Sequence, residues 1–99
     1  MELVFNDKAY DRLEVDASYS HGFSASVVVH YRSRLQLLRA AQDERDLKAM
    51  ACLNYHSIPP RSRRQHSVRI DDKHCLIIEV QQLRAQHVLQ VFEIRASEQ

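Results

Sequence analysis

Cysteine is scarce in this chain, with Cys52 and Cys75 the only two among 99 residues. Two are too few for the disulfide framework of a small secreted domain, so reduced thiols are expected. Long apolar runs are missing as well. No segment approaches the roughly 18 consecutive apolar residues that would span a bilayer, and "MELVFNDKAY" lacks the basic region and apolar stretch of a secretory signal. A cytoplasmic protein with no membrane association is the expectation. Six histidines are present, yet none falls in a C-x-x-C, H-x-x-x-H or H-E-x-x-H spacing. His74 and Cys75, being adjacent on a strand, would point to opposite faces. No metal site is therefore expected. Glycine is used once, at Gly22, in the small polar stretch "DASYSHGFS", which reads as a loop between two helices.

What is present fits one ordinary globular domain spanning 1–99. Apolar residues make up 44% and charged residues 27%. A chain of this length buries roughly 60 to 70% of its unfolded surface on folding, enough for a core of its own. "MELVF" reads as a strand, and "ND" can cap a short helix over "DKAYDRLEV". Ser24 looks like the N-cap of the longest element. From there Val27, Val28, Tyr31, Leu35, Leu38 and Ala41 recur at intervals of three and four, the mark of a core helix, with Arg32, Gln36 and Arg39 on a solvated face. "AQDERDLKAMA" breaks that period with acids and resumes as a helical turn or irregular segment. "LNYHSI" suits an edge strand stopped by Pro59 and Pro60.

A hairpin follows. Val68 and Ile70 alternate with Ser67 and Arg69; Leu76, Ile78 and Val80 alternate with Cys75 and Glu79. A three-residue loop, Asp71 to Lys73, sets Arg69 opposite Cys75 and leaves Ile77 as the one large aliphatic residue on the outer face. A two-residue loop would mix the faces. "HVLQVFEI" is apolar on both sides, as expected of a strand inside a sheet. The order of strand, two helices and then antiparallel strands defines an α+β domain.

Charge is distributed unevenly. The formal total is only +1, but no acid lies between Asp46 and Asp71, an interval that holds Lys48, Arg61, Arg63, Arg64 and Arg69. Acids such as Asp43, Glu44 and Asp46 supply the balance from elsewhere, which suggests an anionic partner. A guanidinium forks onto phosphate oxygens and stays charged at every accessible pH, so these arginines suit nucleic-acid backbone contacts. Arg69 differs from the loop arginines in being held on a strand, where its direction is set. Solvated charge after a proline turn is the plainer reading of the others. His66 and His74 fall on the core-facing side of the hairpin and read as packing at the core rim. His56, near the prolines, is freer and a candidate for acid or base chemistry.

The segment "RSRRQHSVRIDDKHCLIIEV" resembles the HigB branch of the RelE-like toxins, the plasmid maintenance killer proteins. Gln65, His66, Ser67, Val68, Arg69, Ile70, Asp72 and Leu76 match that family's hairpin pattern. "RAAQDERDLKAM" and, more loosely, "HGFSASVVVHYRSRLQLLRAA" extend the likeness over most of the chain. The resemblance implies a RelE-like fold with an N-terminal strand, two helices and an antiparallel sheet of three to four strands. It also implies the toxin of a type II toxin–antitoxin pair: a ribosome-dependent endoribonuclease that cuts messenger RNA without metal or cofactor. A HigA-like antitoxin would silence it, and operator DNA would be reached only through that antitoxin. Arg69 stands where the family places a functional arginine, so phosphate stabilisation is its implied role, with His56 as a candidate partner in catalysis and Arg61, Arg63, Arg64 and Lys73 as RNA contacts.

Four departures qualify this. Cys75 stands where relatives carry a second arginine. Arg64 replaces the glycine before Gln65, and the basic residue common in the preceding loop of relatives is not clearly retained around "NYHSIPP". The end "VFEIRASEQ" has no imidazole where many relatives end in D-Y-H, whether Glu93 to Arg95 or Ala96 to Glu98 is aligned there. They leave two readings open, a weakened nuclease and a degenerate relative that binds antitoxin and nucleic acid without cutting.

Overall fold

The computed structural model describes residues 1–58 and 64–97. In chain order the elements are β1 (Glu2–Phe5), α1 (Lys8–Val15), α2 (Ala25–Ala40), α3 (Glu44–Ala49), a 3₁₀ turn (Ala51–Leu53), β2 (His56–Ser57), β3 (Gln65–Arg69), β4 (His74–Leu83) and β5 (Gln86–Ala96). The five strands form one sheet in the order β1-β5-β4-β3-β2. Strands β2 to β5 are antiparallel to their neighbours, while β1 joins β5 in parallel. The sheet is thus mixed and one strand wider than the hairpin run alone suggests, because the opening strand returns to cover the last one.

Each helix starts on a side chain that accepts backbone N–H groups otherwise left without partners. Asp7 accepts from Ala9, Ser24 from Val27, and Asp43 from both Arg45 and Asp46. The apolar stripe of α2 goes where its spacing directs it: Val27, Val28, Tyr31, Leu35 and Leu38 are buried, as is Ala41 just beyond. They pack on Tyr10 and Leu13 of α1, Leu47 of α3 and Leu53. From the sheet they meet Val68, Ile70, Leu76, Ile78, Leu89, Val91 and Ile94.

The basic side of α2 is not simply solvated. The Arg32 guanidinium donates to the carbonyls of Leu13 and Asp16, both at 3.0 Å, and so closes the C-terminal end of α1. Arg39 makes a two-pronged ion pair with Glu14. Periodicity shows that these residues avoid the core. It does not show that α1 lies alongside to receive them.

Two phenols tie the layers together. The Tyr31 hydroxyl donates to the Tyr10 carbonyl at 2.8 Å, and the Tyr10 hydroxyl accepts from the Ile94 amide of β5 at 3.1 Å. Burial pushes the Tyr31 phenol well above its ordinary range. It raises that of Tyr10 as well, although the Ile94 hydrogen bond acts the other way. An unfolded chain releases phenolic protons near pH ~10 whereas the fold retains them, so the stability they lend is complete below that pH and is lost as pH rises past it. Thermal melts should therefore fall as pH rises past about 10. Tyr31→Phe should flatten that fall and, by removing the hydrogen bond to the Tyr10 carbonyl, cost about 1 kcal/mol at neutral pH. An unchanged alkaline slope in the variant would show that Tyr31 is not the group responsible.

The register of the central strands determines which residues share a face. Arg69 pairs with Cys75 across β3 and β4, the arrangement of the three-residue turn. Between β4 and β5 the register breaks: Ile77 pairs with Glu93 but Ile78 with Val91, which makes Phe92 a surplus residue in β5. Before it the core-facing positions are odd, Leu89 and Val91; after it the core residue is Ile94. This break explains why "HVLQVFEI" reads as apolar on both sides. It also sets Arg95 opposite Cys75 on the outer face.

Candidate functional site

The helices cover one face of the sheet. On the other, at the open end of β2, β3 and β4, lies a pocket of about 360 Å³ lined by Asn54, His56, Ser67, Arg69, Asp71, Asp72, Cys75 and Ser97. Two candidates from distant parts of the sequence meet here. His56 is directly across the β2–β3 ladder from Ser67. Arg69 is two residues further along β3 and, since alternate residues share a face, projects on the same side.

Arg69 is anchored through its own backbone. Arg34 of α2 donates from Nε to the Arg69 carbonyl at 2.7 Å, and its second prong reaches the Ile70 carbonyl at 3.4 Å. The last carbonyls of β3 are thereby tied to the long helix. The Arg69 guanidinium itself forms an ion pair with Asp72 in the following turn, with about half of the Arg69 side chain and most of the Asp72 side chain exposed. An exposed pair of this kind contributes about 0–1 kcal/mol, so a phosphate can take the carboxylate's place.

His56 is exposed, and its Nδ1 lies 2.7 Å from the Asn54 carbonyl. A carbonyl only accepts, so Nδ1 carries the proton and the neutral ring keeps its lone pair at Nε2. Asn54 has left-handed backbone geometry with φ of 44°, the conformation that asparagine tolerates better than most residues, and it turns the chain from the 3₁₀ helix into β2. Asp71 is occupied on the opposite wall. It accepts from the Lys73 amide at 2.8 Å and from His74 Nδ1 at 3.0 Å. Burial disfavours its ionised form, but these two donors prevail and hold its carboxyl below the ordinary range.

The remaining sequence candidates are placed as follows. Lys73 is exposed in the turn and does not line the pocket. Arg64 is exposed just before β3. Arg61 and Arg63 lie outside the described residues. His74 meets the Phe23 ring edge-on at 6.3 Å. His66 stacks on Tyr55 with ring centres 4.5 Å apart and planes 6° from parallel, while Tyr55 donates to Glu44 at 2.9 Å. Both rings pack at the margin of the core and neither borders the pocket. The uncompensated charge is also smaller than the bare count suggests, since Lys48 pairs with Glu44 at 3.2 Å and Arg69 with Asp72.

Three residues here escape sequence reasoning. Asn54 and Ser97 reach the pocket through chain turns that periodicity does not reveal. Arg95 stands on the outer face beyond Cys75, ion-paired with Glu93, and borders a second pocket of about 400 Å³. The row across the sheet therefore runs Arg69, Cys75, Arg95, two cations flanking a thiol. Locating Arg95 requires knowing about the surplus Phe92.

An N-terminal strand, helices packed on one face and a mixed five-stranded sheet make this an α+β domain of the RelE/YoeB-like fold. Among solved structures it is similar to one titled "YoeB/ParE toxin from Agrobacterium tumefaciens", with a TM-score of 0.61 over 99% of this chain and 100% of that one, at 17% identity. No family model matches the sequence, and no curated protein does.

Proposed function

We propose that this chain is the toxin of a toxin–antitoxin pair, and that its outer-face pocket cuts messenger RNA on the ribosome without a metal. The observation that carries this is the meeting of His56 and Arg69 on one face and in one pocket, with His56 across the β2–β3 ladder from Ser67 and Arg69 two residues further along β3. RNA cleavage of this type begins when a ribose 2′-hydroxyl attacks the neighbouring phosphorus. His56 Nε2 takes the hydroxyl proton, and a bond forms from the 2′-oxygen to phosphorus. Arg69 neutralises the added charge on the non-bridging oxygens. The bond to the 5′-oxygen then breaks, that oxygen takes a proton from solvent, and a 2′,3′-cyclic phosphate remains. The likeness to a solved toxin structure supports this setting. The partner would be a HigA-like antitoxin, and Arg61, Arg63, Arg64 and Lys73 would contact the RNA backbone.

Induced expression without the neighbouring antitoxin gene should arrest growth and leave ribosome-bound transcripts cut within codons. Intact transcripts alongside folded, antitoxin-free protein would sink the nuclease reading. His56→Ala should lower the cleavage rate by about two orders of magnitude while changing RNA affinity little, because the ring acts on a proton rather than on charge. Equal losses in rate and binding would show His56 to be a contact residue only.

One observation favours a second reading. Cys75 occupies the position opposite Arg69 where a second guanidinium would complete a phosphate clamp. A chain that retains the fold and basic surface but no longer cuts would still bind nucleic acid, with affinity falling steeply as salt rises. Binding without cleavage at every enzyme concentration distinguishes it.

A further inference from the structure

Among the described residues, Ser67 is the only buried polar side chain apart from the two core tyrosines, 5% exposed in the middle of β3. It occupies the centre of the pocket's arrangement. His56 is its partner across β2, Arg69 follows two residues later on the same face, and Ile77, itself 1% exposed, walls its other flank from β4. The Ser67 hydroxyl makes no hydrogen bond with any described residue. Nor is any fully sealed side-chain oxygen or nitrogen left without a partner among them, so this oxygen opens into the pocket that Ser67 lines.

A hydroxyl that no described group engages and that opens into a pocket is available to whatever enters that pocket. The adjoining guanidinium selects an anion, and a serine hydroxyl can donate to one. Cys75, opposite Arg69, offers only a weak S–H donor. We propose that Ser67 is a phosphate ligand: its hydroxyl donates to a non-bridging oxygen of the RNA phosphodiester whose other oxygen is held by Arg69. It thereby supplies the second donor that Cys75 does not. The assignment rests on the reading of this pocket as the RNA-cleaving site, and it adds a substrate contact to that reading.

Titration of the full chain with inorganic phosphate, followed through backbone amide resonances, tests the contact directly. Binding should move the Ser67 and Arg69 signals. Ser67→Ala should weaken phosphate binding roughly tenfold, and Ser67→Cys, close in size but a poor donor, should weaken it comparably. The alanine variant should melt close to the wild-type temperature, since the hydroxyl bonds no described residue. Wild-type phosphate affinity in both variants, or a drop in melting temperature that accounts for the weakened binding, would overturn the assignment. A cleavage assay on ribosome-bound transcripts separates the two layers. Equal cutting by wild type and Ser67→Ala removes Ser67 from the site and leaves the nuclease reading intact. Serine-dependent phosphate binding with no cutting by wild type retains the contact and removes the nuclease.

Discussion

Arg69→Ala will lower messenger RNA cleavage by about 10²- to 10³-fold, the usual loss when one preorganised donor to a developing oxyanion is removed. The side chain is held through its own strand: Arg34 grips the Arg69 and Ile70 carbonyls from α2, so the guanidinium starts from a steady base. Its ion pair with Asp72 is exposed and adds little to stability. The alanine variant should consequently fold and melt much as wild type does. That separation of activity from stability distinguishes a catalytic arginine from a structural one. Arg69→Lys should rescue poorly, because an ammonium cannot present two parallel donors. Full activity in Arg69→Ala, measured on ribosome-bound transcripts, would remove the central element of the proposed function.

Cys75→Arg is expected to act in the opposite direction on binding. Position 75 lies between Arg69 on β3 and Arg95 on β5, so the substitution makes three consecutive cations in one row across the sheet. RNA affinity at low salt should rise by about tenfold, and the slope of log affinity against log salt should steepen by about one phosphate contact. Stability should decline, since like charges on directly opposed strands repel by roughly 0.2–1 kcal/mol per pair. For a domain of this size that lowers the melting temperature by a few degrees, on the order of 4–8 °C per kcal/mol. If the native pocket is a weakened nuclease, cleavage rises together with affinity. If it is a binding surface alone, affinity rises and transcripts remain whole. A variant with unchanged affinity would show that the row does not face the RNA.

The extent to which the fold can be read from the chain follows the range of the interactions involved. The long helix is legible because its stripe of Val27, Val28, Tyr31, Leu35 and Leu38 repeats within a few turns and all of it is buried. The hairpin register is legible because one slip would carry Val68, Ile70 and Leu76 to the wrong face, which limits the loop to Asp71 through Lys73. Contacts between remote segments leave no such local trace. The parallel return of β1 onto β5, the capping of α1 by Arg32 and the engagement of Arg39 by Glu14 depend on packing between elements far apart in sequence.

The pocket divides in the same way. Arg69 and His56 stand out by charge and chemistry, and the structure brings them together. Ser67 reads as an ordinary outward-alternating serine until Ile77 and the neighbouring strands enclose it. Arg95 is missed for a different reason. Strict alternation, counted through "HVLQVFEI", loses phase at Phe92, so no two-residue period can carry the correct side-chain directions past that point.

Phe92 thus works as a frame-shifter for the end of the chain. Excising it would join Val91 directly to Glu93 and restore strict alternation, with Val91 and Ile94 still on the core face and Glu93 and Arg95 still opposite their partners on β4. A single-codon deletion at this spot should therefore be tolerated far better than one at a paired position of the same strand, where the loss would turn side chains to the wrong face. Tolerance to length change along β5 becomes a genetic ruler for where the bulge sits.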